Sequence, residues 1–556
     1  MVLPTSVEAD RLTRFTAAAA VLQDAQVAAR REAAEALIGV ADEWLADTAV
    51  TEHERHHQVQ TIIDALCESI RSPFSLAYRA ELWADEPTGD LQEQSRFYAE
   101  RAELVAEAKV RRSILTEIHE RVRWMTTKTV SQNPYAPLKT GDFSPGTWSG
   151  FAYDFSGTLF FYPVDFRGSC WGQGLNLSGC THREDANLTG SYYGGPADFS
   201  GSTYADDADF FGSVYAGATD FSGCAYGGYT RFGGSLYREF VNFSGSTFGP
   251  YAGFISSVYR SDADFSGCTY TGYMSASQCA YHGRAIFTGS TYNSDTRLNH
   301  SHYSRAARLD SCTYKGDAFL HDNTYCGTFN ASGCTYTNPA SFDRCTYLQD
   351  ASFVGSTFGH YFTGSDSAYY GRVAFNRCRS TGYVAFAGSI FHEEVNFTGN
   401  VYGMNLSVRE TVFLEGVDCS NSVCHERAAN FREAAFMGGV SFAGVRFVAN
   451  EPAFDRCLFN PMAGYLFNVA MGSEHCIPMA AGCPSFPIGS RTLTEQGLIR
   501  LSSYRQSISR AAKALEVMTR RTGQDSPEVL EARTELRAAS EALASWVRSL
   551  TAPDTA

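Results

Sequence analysis

No apolar run in the 556-residue chain approaches the eighteen or so residues needed to cross a bilayer. Its first ten residues show no basic segment followed by an apolar stretch, so no export signal is read there and the expected location is cytoplasmic, with no membrane insertion. Basic residues are in deficit, 45 Lys and Arg against 60 Asp and Glu, for a net charge of -15. That balance argues against direct nucleic-acid binding, where affinity comes mainly from cations neutralising phosphates, and it leaves room for basic partners. CxxC pairs, HExxH, a nucleophile elbow and a phosphate-binding glycine loop are all missing. The chain is therefore read as non-enzymatic, without catalytic residues, metal or cofactor. Sixteen cysteines do not imply a disulfide framework, because that inference belongs to short secreted chains and most of these cysteines occupy repeat positions. Reduced thiols serving as small buried residues are the expectation.

Thirty tyrosines and 49 glycines are in surplus, which points to a repeat with fixed aromatic and turn positions. Between residues 155 and 413 a large apolar residue returns after five residues, then six, as in Ala197-Asp198-Phe199-Ser200-Gly201-Ser202-Thr203-Tyr204. Stepping by eleven from Phe155 to Val408 meets fifteen Phe, five Leu, one Val, two Ala and one Gly; stepping from Phe160 to Phe413 meets sixteen Tyr, five Phe, Trp171, His182 and Ser380. A helix of 3.6 residues per turn would set two anchors five apart on opposite sides, whereas short strands can turn both inward. The small residue two positions before each anchor faces the same way as the anchor, and the intervening Asp198, Asp209 and Asp264 face outward. Gly201, Gly223 and Gly267 suit tight corners. The first column contains no tyrosine, so it is expected to be dry. The tyrosine column should lie where its hydroxyls reach a corner backbone group or solvent.

The flanks read as helix. Residues 27–45, 59–70 and 95–122 carry apolar residues three or four apart, with Leu104, Val110, Ile114, Ile118 and Val122 on one side of the third and a loop across residues 83–90. The expected organisation is a helical domain over 1–125, a linker over 126–150, the repeat over 151–467, a Pro- and Gly-containing connector over 468–490 and a helical hairpin over 491–556. In the hairpin, Leu501, Tyr504, Ile508, Leu515 and Met518, then Leu536, Leu543, Trp546 and Leu550, form seams that could close on each other or join a second chain. Asp525 with Glu528 offers a capping box for its second helix.

Small residue, outward polar residue, Phe or Leu and two turn residues together resemble the pentapeptide repeat, and the five-and-six alternation is similar to an actinobacterial variant of that family. The resemblance extends to Arg14-Phe15-Thr16, to Ile63-Asp64-Ala65-Leu66-Cys67 with Arg71-Ser72-Pro73-Phe74, to Val110-Arg111-Arg112-Ser113-Ile114 and to the junction from Thr147 through Gly157. It implies a right-handed quadrilateral β-helix, which with five plus six residues on successive faces means 22 residues per coil. The regular part would then hold about twelve coils and span about 60 Å at the strand spacing of a sheet. Past Phe413 the register slips by one, and the repeat should end near Phe467.

Features of three kinds bear on function: cysteines, histidines and charge. Cys224, Cys268, Cys312, Cys334 and Cys378 recur at multiples of 22, but Ser246, Ser290 and Ser356 share their column, so the position asks for a small side chain. His475-Cys476 with Cys483 has a metal-like spacing without an evident fourth ligand. His282, His300, His302, His321 and His360 gather in the middle of the repeat and read as solvated surface on a flat face. Charge is the third: residues 142–264 hold thirteen acids and five bases, residues 265–379 seven and nine, and residues 380–456 nine and five. The outward Asp165, Asp198, Asp209, Asp220 and Asp264 are candidates for an acidic interaction face. Two functional classes follow, an interaction or self-assembly scaffold with protein partners, or, as the family resemblance allows, an acidic DNA mimic acting on a type II topoisomerase or another DNA-binding protein.

Overall fold

A five-then-six spacing turns the chain through two corners every eleven residues, so residues 22 apart must meet. In the computed structural model they do. Ala197 pairs with Thr219, Thr203 with Ala225, Ala208 with Thr230 and Val214 with Leu236, each in parallel register. These residues open the four strands of a coil, Ala197–Asp198, Thr203–Tyr204, Ala208–Asp209 and Val214–Tyr215, which lie on what we call its first, second, third and fourth faces. Counted along the chain the strands form four parallel sheets in about fourteen turns. The structure describes residues 6–22, 27–79, 82, 90–126, 143–426, 429–471, 473–481, 485–522 and 526–552, which divide into two compact units, Met1–Ser261 and Asp262–Ala556.

Inside each coil the anchors stack on their equivalents in the next. Phe199 and Phe221 lie 4.5 Å apart and nearly parallel, as do Tyr193 and Tyr215 at 4.6 Å in the first unit and Tyr292 and Tyr314 at 4.6 Å in the second. Each buried aromatic contributes about 1.5–3 kcal/mol, so stability is distributed over many rungs. Volume is conserved within a rung. The only small residues in the first anchor column, Ala276, Ala331 and Gly364, follow Met274, Phe329 and Phe362 by two positions, and those large side chains are fully buried in the space left over. A Cβ on Gly364 would stand 3.0 Å from the Tyr369 hydroxyl and 3.3 Å from the Phe386 ring, so the swap of large and small is steric as well as hydrophobic.

The tyrosine hydroxyls depart from expectation. Tyr204 and Tyr292 are fully buried and their hydroxyls find no hydrogen-bond partner among the described residues. Both rings stack nearly parallel on those of the next coil, Tyr204 on Tyr226 and Tyr292 on Tyr314, and the coil encloses them. Where an asparagine stands two residues earlier a partner is supplied: Asn323 donates to the Tyr325 hydroxyl at 3.0 Å and Asn400 to that of Tyr402 at 2.7 Å.

In the first unit, helices α1 (Ser6–Val21), α2 (Val27–Ala46), α3 (Glu52–Arg71) and α4 (Leu91–Val122) precede the coils. The last begins four residues before the periodicity suggests, because Asp90 and Glu93 form a reciprocal capping box. The motifs that carry the family resemblance meet here. Arg111 on α4 donates to the carbonyls of Ile70 and Ser72 at 2.6 and 2.7 Å, satisfying the end of α3 before Pro73 stops it, and buried Glu107 holds that guanidinium at 2.7 Å. On α3 the Gln60 amide bonds both the N–H and the carbonyl of Ala152, closing the edge of the first strand. Trp148 is fully buried, its indole donating to Asp42 at 3.1 Å under the Arg121 guanidinium. Within the expected linker, Met125–Thr126 pairs antiparallel with Phe143–Ser144.

In the second unit the register slip is visible as pairing over 23 residues, Val412 with Ala435 and Val417 with Val440. The sheet does not stop near Phe467. After the connector, Arg491–Thr492 returns to pair with Leu458 and Phe459, and Phe486 of the connector stacks on Phe459 at 5.3 Å, covering that end. Helices α5 (Glu495–Thr522) and α6 (Pro527–Thr551) follow. The cap of α6 is Ser526, whose hydroxyl accepts from Val529, with Pro527 in the first turn; Asp525 lies outside the described residues.

Candidate interaction surfaces

The five candidate acids do not form one face. Asp198 and Asp220 are neighbours on the first face of the first unit, while Asp165 and Asp209 lie on its third face, across the coil. Asp264 belongs to the second unit, where its column continues as Ile286, Arg308 and Asn330. Each carboxylate is occupied locally. Asp198 accepts from the Ser200 N–H at 2.9 Å, Asp220 from Ser222 at 2.8 Å and Asp264 from Ser266 at 2.8 Å. Asn176 and Asn242 do the same for Ser178 and Ser244 at 3.0 Å. Asp and Asn are thus interchangeable corner caps, and their shared property is an acceptor oxygen rather than a charge. Burial raises the Asp209 carboxyl above its ordinary value despite the Phe211 N–H and Arg231 beside it. Burial acts the same way on Asp165, but there the Arg167 guanidinium outweighs it and the carboxyl stays below the usual range.

The cysteine column has an equally structural account. Cys224 and Cys378 each point the thiol at an anchor carbonyl of the preceding coil, Phe199 and Phe353, at 3.1 Å. Ser246 and Ser356 make the same bond to Phe221 and Ala331 at 2.7 and 2.8 Å. Burial pushes the Cys224 thiol up to about 11 and that of Cys378 to about 12, so neither is a nucleophile at neutral pH. No disulfide joins the fifteen described cysteines, and only Cys476 among them is exposed; Cys483 lies outside the described residues.

The hairpin seam is filled within the chain. Leu501, Ile508, Leu515, Leu536, Leu543 and Trp546 are buried in one cluster, with Tyr504, Met518 and Leu550 packed at its margin. The other half of that cluster is the fourth face of the second unit, through Ile390, Val412, Ala435 and Leu458 and, next to the anchors, Leu348, Tyr370, Leu414 and Met437. Polar ties fix the seat: Arg505 donates to the Leu414 carbonyl, Arg548 to that of Gly388 at 3.0 Å, and the Tyr370 and Ser540 hydroxyls meet at 3.0 Å. The seam expected as a possible oligomerisation surface is therefore not open in this chain. The sequence carries a signal for this seat, since positions 348, 370, 392, 414 and 437 hold Leu, Tyr, His, Leu and Met at coil spacing, where positions 238, 260 and 282 hold Arg, Arg and His.

The third face of the second unit is different in kind. There Arg297 lies outward between two aromatic rings, 5.7 Å from the centre of Tyr273 and 5.4 Å from that of Phe319. Arg297 and Phe319 are successive rungs of the same column. His321 follows, its ring 6.3 Å from Phe319, and the predicted histidine group resolves into separate parts. His302 faces the hairpin, with Arg533 at 3.4 Å and the Cys326 thiol at 3.7 Å. His282 is half-buried, and His360 is exposed with its ring 4.1 Å from that of Tyr361. His300, His321 and Asp322 converge, with His321 Nδ1 2.7 Å and His300 Nε2 3.9 Å from Asp322 Oδ2.

Among the described residues no helix is long and apolar enough to cross a membrane. No protein family, curated protein or solved structure matches the chain. A parallel solenoid with turns of about 22 residues is compatible with the pentapeptide-repeat fold that the sequence resembles.

Proposed function

We propose that the protein is a non-enzymatic repeat scaffold of the cytoplasm that binds another protein through the outward side of its coils. The observation that supports this reading is the Tyr273, Arg297 and Phe319 stack on the third face of the second unit. A coil needs no aromatic residue pointing outward, because its stability comes from the inward columns. Tyr, Phe and Arg are the residue types that protein interfaces concentrate, and an arginine held between two rings presents its donors at a reduced entropic cost. No cofactor or metal is needed for such a role. The DNA-mimic alternative needs a continuous acidic face, and the division of the first unit's acids between opposite faces gives it no support. Self-assembly through the hairpin seam is likewise left out, because that seam is filled.

The test is affinity capture from the native cell extract with the full chain and with the Arg297→Ala, Phe319→Ala double variant. A partner retained by the wild-type chain and lost by the variant is expected. Equal recovery by both, or none by either, counts against the reading.

A further inference from the structure

We infer that His300, His321 and Asp322 form a binding site for a borderline divalent cation of the zinc type, joining two consecutive coils of the second unit. The ligand atoms lie within 4.8 Å of one another. Zinc bonds of about 2.0–2.2 Å in tetrahedral geometry would separate ligands by roughly 3.4 Å, which lies between the two observed spacings of 2.7 and 3.9 Å to Asp322 Oδ2. Side-chain rotations that move these atoms by less than about 1 Å bring them to a common centre. Two imidazoles with one carboxylate suit zinc, nickel or cobalt and not magnesium or calcium, and they leave coordination positions for water or for a side chain of a bound protein.

Position in the coil explains why these three can meet. His300 and Asp322 occupy the positive-φ corner that glycine fills in many coils, with φ of 55° and 58°, and stand one coil apart. His321 precedes the second corner, and its backbone carbonyl accepts from the His300 N–H at 3.2 Å, so the backbone brings the rings together across the rung. Their planes are nearly perpendicular at 5.4 Å, an arrangement that lets both present a nitrogen to one point. The outer nitrogen of His321 also has a partner suited to ligation. Asn299 presents its amide nitrogen 3.4 Å from His321 Nε2, and its amide oxygen accepts from the Ser277 hydroxyl at 2.6 Å. Since that hydroxyl can donate or accept, the Asn299 amide can turn its oxygen to an Nε2–H and hold the tautomer in which Nδ1 is free to bind. Arg344 competes, because its guanidinium grips both Asp322 oxygens at 2.8 and 2.7 Å.

That competition makes the inference testable beyond simple loss. Zinc uptake by the full chain is measured by calorimetry, and Co²⁺ by its visible ligand-field absorption, with circular dichroism to verify that each variant is folded. Cys476→Ser controls for the exposed His475-Cys476 pair and should change nothing. His321→Ala and His300→Ala should remove one equivalent, Asn299→Ala should weaken it about tenfold, and Arg344→Gln should tighten it. Zinc uptake that is the same in the wild-type chain and His321→Ala, or an Arg344→Gln variant that binds more weakly, would overturn the site.

Discussion

At the scale of single residues, the columns show how strictly a stacked interior selects its side chains. His182 is the clearest exception in the anchor columns. It sits between Phe160 at 4.7 Å and Tyr204 at 4.6 Å, its ring parallel to the second, and neither nitrogen has a hydrogen-bond partner among the described residues. Burial alone pushes it down to about 3. Because that lies below the value of about 6.5 for an exposed histidine, the unfolded chain binds a proton in this interval that the folded chain refuses, and stability falls as pH drops below about 6.5. At pH 5 the loss is roughly 2 kcal/mol. His182→Phe restores the ordinary anchor, so its thermal midpoint should exceed that of the wild type, by a margin that widens from pH 7.5 to pH 5; an equal margin at both pH values would refute the account. That a histidine in a tyrosine column must stay neutral was readable once the eleven-residue step had been counted. The fate of the tyrosine hydroxyls was not, because nothing in the spacing says whether stacked phenols lean toward the corners or along the interior.

Among the elements, the hairpin is where local pattern and tertiary role part company. Its heptad seams were plain in the sequence, but a heptad records only that a helix has an apolar stripe, not what covers it. The cover is the column at positions 348, 370, 392, 414 and 437, one residue per coil, which a search for long apolar runs passes over. His392 in that column stacks on Tyr370 at 4.3 Å, and burial lowers it to about 4, so the column itself is uncharged at neutral pH. Leu414→Asp would place a carboxylate in this buried cluster, beside Leu515 and Leu536, where an unpaired charge costs several kcal/mol. Limited proteolysis should then release α5 and α6 while the coils stay resistant. A variant whose hairpin is cut no faster than the wild type would show that the seat contributes little. The convergent histidines illustrate the same limit. His300 and His321 are 21 positions apart, one short of the coil repeat, and only the closed corner shows that the missing residue turns them toward each other.

For the molecule as a whole, the repeat gave away its architecture because every coil makes the same choices again, whereas the sites proposed for function lie in places where the repetition lapses. Asp and Asn alternate in the capping positions, Ser and Cys in the column behind the anchors, Phe and Leu in the anchors themselves, and each pair does one physical job. Arg297 between its rings, the converging His300 and His321 and the apolar column under the hairpin break such equivalences, and the interaction and cation sites proposed above use the first two. The parallel register also governs how such a chain can lengthen or shorten. Since Ala197 and Thr219 occupy identical stations, excising residues 197–218 of the first unit joins Pro196 to Thr219 with every column intact, and that shortened chain should remain folded with a thermal midpoint close to the wild type. Excising a length that is not a multiple of the eleven-residue step, such as residues 197–204, would put Asp207 at the anchor station of Phe199 and should abolish cooperative melting. Inheritance in a gene of this kind therefore tolerates gains and losses in steps of eleven residues and punishes them at other lengths, so that its length is counted in half turns rather than in amino acids.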